Sequence, residues 1–72
     1  RRTVLMIKIQ LPSFDNNETF LCRDEGNVCI QQRYNIAPPG TEKLFAVHTV
    51  SLGMQDEAVF SELAHRLCEL HP

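Results

Sequence analysis

Three cysteines and three histidines are the side chains of this 72-residue sequence whose chemistry suits metal binding or nucleophilic attack. Cys68 and His71 stand three residues apart near the end of the chain, and Cys22 and Cys29 stand seven apart in its middle. Zinc ligands usually come as closely spaced pairs, and the spacing of Cys22 and Cys29 is looser than that pattern. These four residues are therefore candidate zinc ligands, and a zinc-stabilised domain is one alternative. The preferred prediction is a domain that binds neither a metal nor a cofactor.

The same residues allow a disulfide instead of a metal site. If Glu25 and Gly26 form a two-residue loop, Cys22 and Cys29 lie directly opposite each other, whereas a one-residue change of register separates them. The sequence does not determine this register, so a bridge and two free thiols both stay open. An odd number of cysteines leaves at least one free thiol, which favours a reducing compartment. We therefore expect an intracellular protein, most simply a cytoplasmic one.

No pairing of cysteine with histidine carries the surroundings that catalysis needs. The sequence shows no strained nucleophile turn, no oxyanion donors and no third residue to orient a base. A chain of this length also has little room for a substrate cleft. We therefore predict that the protein is not an enzyme. His48 interrupts an apolar strand pattern, and we interpret it as a hydrogen-bonded histidine in the core, or at the limit of the apolar face, rather than as a pH switch.

The elements that position these residues begin with the clearest periodic signal, an amphipathic helix over residues 56–71. Apolar residues recur at three- and four-residue steps on one stripe, namely Phe60, Leu63, Leu67 and Leu70. Asp56 is suited to cap the first turn, because its short carboxylate accepts hydrogen bonds from free backbone N–H groups. This helix needs an apolar surface to pack against.

Four segments carry the alternating apolar pattern of strands, and these are residues 3–11, 18–23, 28–36 and 43–52. Residues 28–36 also permit a helical interpretation, but their even-numbered apolar residues favour a strand that closes a hairpin through Gly26. The sequence thus predicts one α+β domain over residues 1–72, which we expect to be part of a longer protein. It contains an antiparallel sheet of about four strands, with the C-terminal helix packed on one face.

Residues 27–46 resemble the helix-to-third-strand passage of ubiquitin-like β-grasp domains. The matching elements are Asn27-Val28, Ile30-Gln31, Pro38-Pro39, Lys43 and Leu44-Phe45-Ala46. The resemblance implies an alternative fold, a β-grasp with a central helix near residues 25–35. The chain lacks a C-terminal Gly-Gly, so the resemblance does not extend to a conjugated modifier.

Charge disfavours a nucleic-acid partner, since the net charge is −2 and the basic residues are interspersed with acidic ones. The basic side chains Lys8, Arg23, Arg33 and Lys43 are nevertheless candidate contacts for a phosphorylated or nucleic-acid ligand, which is a second possible function. No apolar run is long enough to form a membrane-spanning helix.

Protein interaction is the function that the pattern favours most. The two segments with the strongest strand pattern, residues 3–11 and 43–52, are apolar on parts of both faces, whereas one helix can cover only one face of a sheet. The uncovered apolar patch is expected to meet a protein partner or a second copy of the chain. The residues predicted to form this interface are Val4, Met6, Phe45 and Val47. We therefore predict a non-catalytic interaction, adaptor or dimerisation domain.

Overall fold

A computed structural model describes residues 6–13 and 17–70 of the chain. The elements are β1 (Met6–Leu11), β2 (Glu18–Asp24), β3 (Asn27–Asn35), β4 (Phe45–Met54) and α1 (Glu57–Cys68). The strands form one antiparallel sheet in the order β1-β2-β3-β4. The predicted α+β class, with a four-stranded antiparallel sheet and a C-terminal helix, is confirmed.

A two-residue turn joins β2 to β3 and sets the register of the hairpin. Glu25 and Gly26 both have positive φ, at 51° and 89°, as a type I′ turn requires. Asp24 pairs with Asn27 across this turn. The alternative fold placed a helix near residues 25–35, and this is wrong, because β3 pairs with β2 over residues 27–33 and with β4 over residues 27–35.

Gly26 allows a direct test of this turn. Its positive φ is strained for any residue with a Cβ, and an added Cβ would lie 2.8 Å from Cε of Met54. We expect Gly26→Ala to lower the free energy of unfolding by about 1–2 kcal/mol. Urea denaturation followed by circular dichroism would measure the change. An unchanged midpoint would contradict the turn geometry.

The two faces of the sheet differ in composition. We call one the Leu21 face, formed by Ile9, Leu11, Leu21, Val28 and Ile30, and the other the Cys22 face, formed by Lys8, Cys22, Cys29, Arg33, Phe45 and Val47. Leu11, Leu21 and Val28 form a buried cluster with Phe60 of α1. Leu63, Ala64 and Leu67 of α1 pack against this cluster, which accounts for the apolar stripe of the helix.

Local hydrogen bonds define the ends of α1. Asp56 has extended backbone, and its carboxylate accepts a hydrogen bond of 2.9 Å from the Val59 N–H, as expected of an N-cap. At the other end, the Glu69 and Leu70 N–H groups donate to the carbonyls three residues earlier. This tighter pattern ends the helix at Cys68, earlier than the sequence predicted.

The loop between β3 and β4 is fastened by one side chain. The Asn35 carboxamide oxygen accepts hydrogen bonds from the Ala37 N–H at 3.0 Å and from the Leu44 N–H at 2.9 Å. The Ile36 N–H donates to the Leu44 carbonyl at 2.8 Å. Together these bonds bring the chain back antiparallel to β3, so that β4 starts at Phe45 rather than at residue 43.

Candidate functional site

Among the described residues, β4 is the last strand of the sheet and therefore has one open edge. Successive residues of a strand direct their N–H and C=O groups to opposite sides. The Leu44 carbonyl accepts a hydrogen bond from Ile36, the residue that follows β3, so the same alternation directs the backbone groups of Ala46, His48 and Val50 toward β3. The groups of Phe45, Val47, Thr49 and Ser51 consequently point away from the sheet. They form a row of donors and acceptors on which another strand can pair.

The side chains of β4 do not protect this edge. Residues 45–54 contain no Lys, Arg, Asp, Glu or Pro, the residues that usually discourage edge-to-edge pairing. Val47 is 55% exposed and Val50 is 61% exposed, on opposite faces of the strand. The only irregularity in the pairing lies opposite Val28 and Cys29, so residues 45–51 form a regular strand. The edge therefore carries no Lys, Arg, Asp or Glu of its own, and exposed valines stand on both of its faces.

The side chains of β4 lie outside the hydrophobic cluster. Among the described residues, those of the sheet that form or border the hydrophobic cluster with α1 belong to β1, β2 and β3. No residue of β4 is among them. Its apolar side chains therefore lack the cover that Leu21 and Val28 receive from Phe60.

The predicted interface residues do not form one patch. Phe45 and Val47 lie together on the Cys22 face of β4, whereas Met6 lies on β1 at the opposite edge of the sheet. All three side chains are exposed, by 41%, 55% and 53% respectively. Val4 lies outside the described residues. The structure brings together Phe45 and Val47, and adds the backbone edge between Phe45 and Ser51, which the side-chain pattern alone did not reveal.

The predicted basic contacts also separate. Arg33 binds Glu18 with an N–O distance of 2.7 Å and stacks on the Phe45 ring at 3.9 Å, while Lys8 lies 4.4 Å from the centre of the Phe20 ring. These two cations share the Cys22 face, where aromatic rings and a carboxylate already partner them. Arg23 and Lys43 lie elsewhere.

Arg23 pairs with Val28 on the Leu21 face, and its guanidinium lies 5.8 Å from the Phe60 ring. Lys43 is exposed in the loop between β3 and β4. The four cations predicted to bind a ligand are therefore divided among two faces and a loop. No common phosphate site results from this arrangement.

The candidate zinc ligands are equally dispersed. Cys22 and Cys29 face each other across β2 and β3, whereas Cys68 is exposed at the end of α1. His71 lies outside the described residues. Within residues 6–13 and 17–70, no three His, Cys, Asp or Glu side chains are grouped closely enough to hold a metal ion.

His48 is exposed on β4 and hydrogen-bonded rather than buried in the core. Its Nε2 lies 2.9 Å from the Tyr34 hydroxyl, and the two rings meet edge to face with centroids 5.2 Å apart. His48 lies on the Leu21 face of β4, outside the hydrophobic cluster that contains Phe60 of α1. This matches the second of the two sequence interpretations for this residue.

A cleft of about 230 Å³ lies beside the C-terminal end of α1. It is lined by Leu11, Pro12, Ser13, Asn17, Thr19, Ile30, Gln32, Leu67 and Leu70. None of these side chains is a carboxylate, imidazole, thiol or amine. The cleft therefore offers apolar and neutral polar contacts rather than groups for acid–base chemistry.

Comparisons of the chain with protein-family models, curated proteins and solved structures found no match. In the part of the chain that the structure describes, no helix has both the length and the apolar character to cross a membrane.

Proposed function

We propose that this chain is a non-catalytic interaction domain that associates with a second copy of itself through the open edge of β4. One observation carries the proposal: β4 is a ten-residue terminal strand with no charged residue and with exposed apolar side chains on both faces. In this proposal α1 covers only the Leu21 face of β1, β2 and β3, and the uncovered β4 extends the sheet into the partner.

Symmetry defines how two copies would pair. Antiparallel pairing of identical strands places a two-fold axis perpendicular to the sheet, so both helices lie on the same side of one eight-stranded sheet. An axis at His48 sets Val47 against Thr49 of the second copy, and Phe45 against Ser51 of the second copy. This register uses all four outward-pointing residues and stops before the irregular end of the strand.

Charge favours a second copy over a charged peptide. The edge of β4 has no charge with which to select a charged partner, whereas self-pairing places no like charges opposite each other. The other open edge is less suitable, because the described part of β1 is six residues long and carries Lys8. β4 is thus the edge at which two copies pair with the least electrostatic opposition.

The contact is small, and this sets the expected affinity. Two seven-residue segments pairing edge to edge bury less surface than the roughly 800 Å² per partner of a stable complex. We expect a dissociation constant on the order of 10–100 µM. Static light scattering should show the molar mass rising toward twice the monomer value between about 5 µM and 1 mM protein. About 0.5 M salt should not weaken the association, because no ion pair holds it.

A matched pair of variants tests whether β4 is the interface. Val47→Lys places two charges near the two-fold axis and should reduce the association constant by about tenfold or more. Val59→Lys makes the same change at another exposed valine, on α1, and should leave association unchanged. A strict monomer at every concentration, or equal weakening by both variants, would contradict the proposal.

A ligand-binding module for phosphorylated or nucleic-acid partners has less support, because Arg23 and Arg33 lie on opposite faces of the sheet. Salt distinguishes the two functions, since phosphate binding weakens steeply as salt rises and an apolar edge contact does not.

A further inference from the structure

Cys22 and Cys29 form a directly opposed pair of thiols in the hairpin of β2 and β3. The two-residue turn makes Asp24 and Asn27 the hydrogen-bonded closing pair, and hydrogen-bonded pairs recur at every second position from there. Cys22 and Cys29 occupy the next such position, where opposed Cα atoms lie about 5.5 Å apart. Disulfides most often join Cα atoms separated by about 5.5–6 Å. The Cα–Cα spacing typical of this position therefore lies within the range that disulfides span.

The two side chains also contact each other. Paired residues of an antiparallel sheet project to the same face, and both cysteines are free and buried on the Cys22 face. Burial, the neighbouring Cys29 thiol and a hydrogen bond with that thiol raise the pKa of Cys22, while the nearby Lys8 ammonium acts in the opposite direction. Cys22 is fully buried and Cys29 is 8% exposed, so an oxidant in solution reaches Cys29 first.

We propose that Cys22 and Cys29 are a dithiol site that exchanges with low-molecular-weight disulfides of the glutathione type and closes to an intramolecular bridge. The Cys29 sulfur attacks one sulfur of the small disulfide, forms a mixed disulfide and releases one thiolate. The Cys22 sulfur then attacks the Cys29 sulfur and displaces the second thiolate. Both cysteine protons pass through solvent to the two released thiolates. In sum, two protein thiols are oxidised to one disulfide, and one small disulfide is reduced to two thiols.

A bridge at this position would fix the hairpin without changing its register. Cys22 lies in a row across the sheet between Lys8 and Cys29, and Cys29 is followed by Ser51 of β4. The bridge would therefore join the two central strands at the middle of this row. Cys68 is exposed at the end of α1, away from this pair, so replacing it by serine leaves both opposed thiols in place. The proposal does not depend on the association of β4.

The experiment uses the whole chain carrying Cys68→Ser, which leaves only the two opposed thiols. Folded protein and protein in denaturant are equilibrated with mixtures of glutathione and glutathione disulfide, quenched with acid, and examined by intact mass and peptide mapping. We expect a species lacking two hydrogens, with Cys22 linked to Cys29. The equilibrium constant for its formation should be at least about tenfold larger for the folded chain than for the denatured chain.

Two outcomes would overturn the proposal. One is an equilibrium constant that is equal or smaller for the folded chain, because the native hairpin would then oppose the bridge. The other is a folded chain that accumulates only mixed disulfides or linked dimers. Because the comparison of folded with denatured chain keeps both cysteines, it requires no substitution at the buried sites.

A second experiment tests which thiol attacks. Cys29→Ser in the Cys68→Ser background should leave Cys22 protected, with mixed-disulfide formation about tenfold slower than at Cys29 in the matched Cys22→Ser variant. Equal rates would contradict the assignment of Cys29 as the attacking thiol.

Discussion

Phe60→Ala is expected to remove most of the stability of the domain. Phe60 is 5% exposed and is the residue through which α1 joins the buried cluster of Leu11, Leu21 and Val28. Truncating a buried phenylalanine costs about 3–5 kcal/mol through lost apolar burial and the cavity left behind. A chain of this length has a total stability of roughly 4–11 kcal/mol, so a large unfolded population should result.

Urea denaturation followed by the helical circular dichroism signal would measure this loss. Val59→Ala provides the control, because Val59 precedes Phe60 in the same turn and is 40% exposed. We expect that control to change the free energy of unfolding by no more than about 0.5 kcal/mol. A loss below about 1 kcal/mol for Phe60→Ala would contradict the packing of α1 on the sheet.

The second large effect is a contrast between two prolines at adjacent positions of β4. His48 directs its N–H toward β3, whereas Thr49 directs its N–H away from the sheet. Proline has no N–H and is tolerated in strands only where that group faces solvent. His48→Pro should therefore destabilise the domain by about 3 kcal/mol or more, while Thr49→Pro should preserve the fold.

Thermal unfolding and light scattering together test this contrast. Thr49→Pro should unfold within a few degrees of the parent protein and yet fail to self-associate, because it removes a donor from the open edge. His48→Pro should lower the midpoint of unfolding by well over ten degrees, on the scale of about 4–8 °C per kcal/mol for a domain of this size. Equal destabilisation by both prolines would show that the outward direction of the Thr49 N–H is wrong.

The proposed dimer contact at β4 and the proposed oxidation of the cysteine pair involve neighbouring parts of the sheet. Cys29 pairs with Ser51, and Ser51 belongs to the open edge. Light scattering on the reduced and the bridged Cys68→Ser chain would therefore show whether a fixed hairpin changes the affinity of the edge. The two proposals stay separable, because Val47→Lys leaves both cysteines in place.

The features that the sequence predicted well are those that depend on neighbouring residues. The three- and four-residue spacing of Phe60, Leu63 and Leu67 defines a helix because helical geometry places these residues on one stripe. Asp56 was recognisable as a cap because its side chain bonds to the first turn of the same helix. The strands were recognisable from the alternation of apolar and polar residues, and the same alternation favoured a strand over a helix for β3.

Features that depend on distant pairing were decided by the tertiary structure. The sequence left the register of Cys22 and Cys29 open, since a shift of one residue costs little locally yet moves every side chain to the other face. The sheet resolves it, because the positive φ of Glu25 and Gly26 closes a two-residue turn that opposes the two thiols.

The exposure of β4 at the edge of the sheet was likewise decided by the tertiary structure. An apolar strand such as β4 has the same sequence pattern whether it lies at the centre of a sheet or at its end. Only the strand order and the membership of the hydrophobic cluster show that β4 is an edge strand whose side chains lie outside that cluster. The sequence by itself thus determined which segments are strands and which is the helix, through local periodicity. The tertiary structure decided which residues face solvent, because burial depends on which elements pack together.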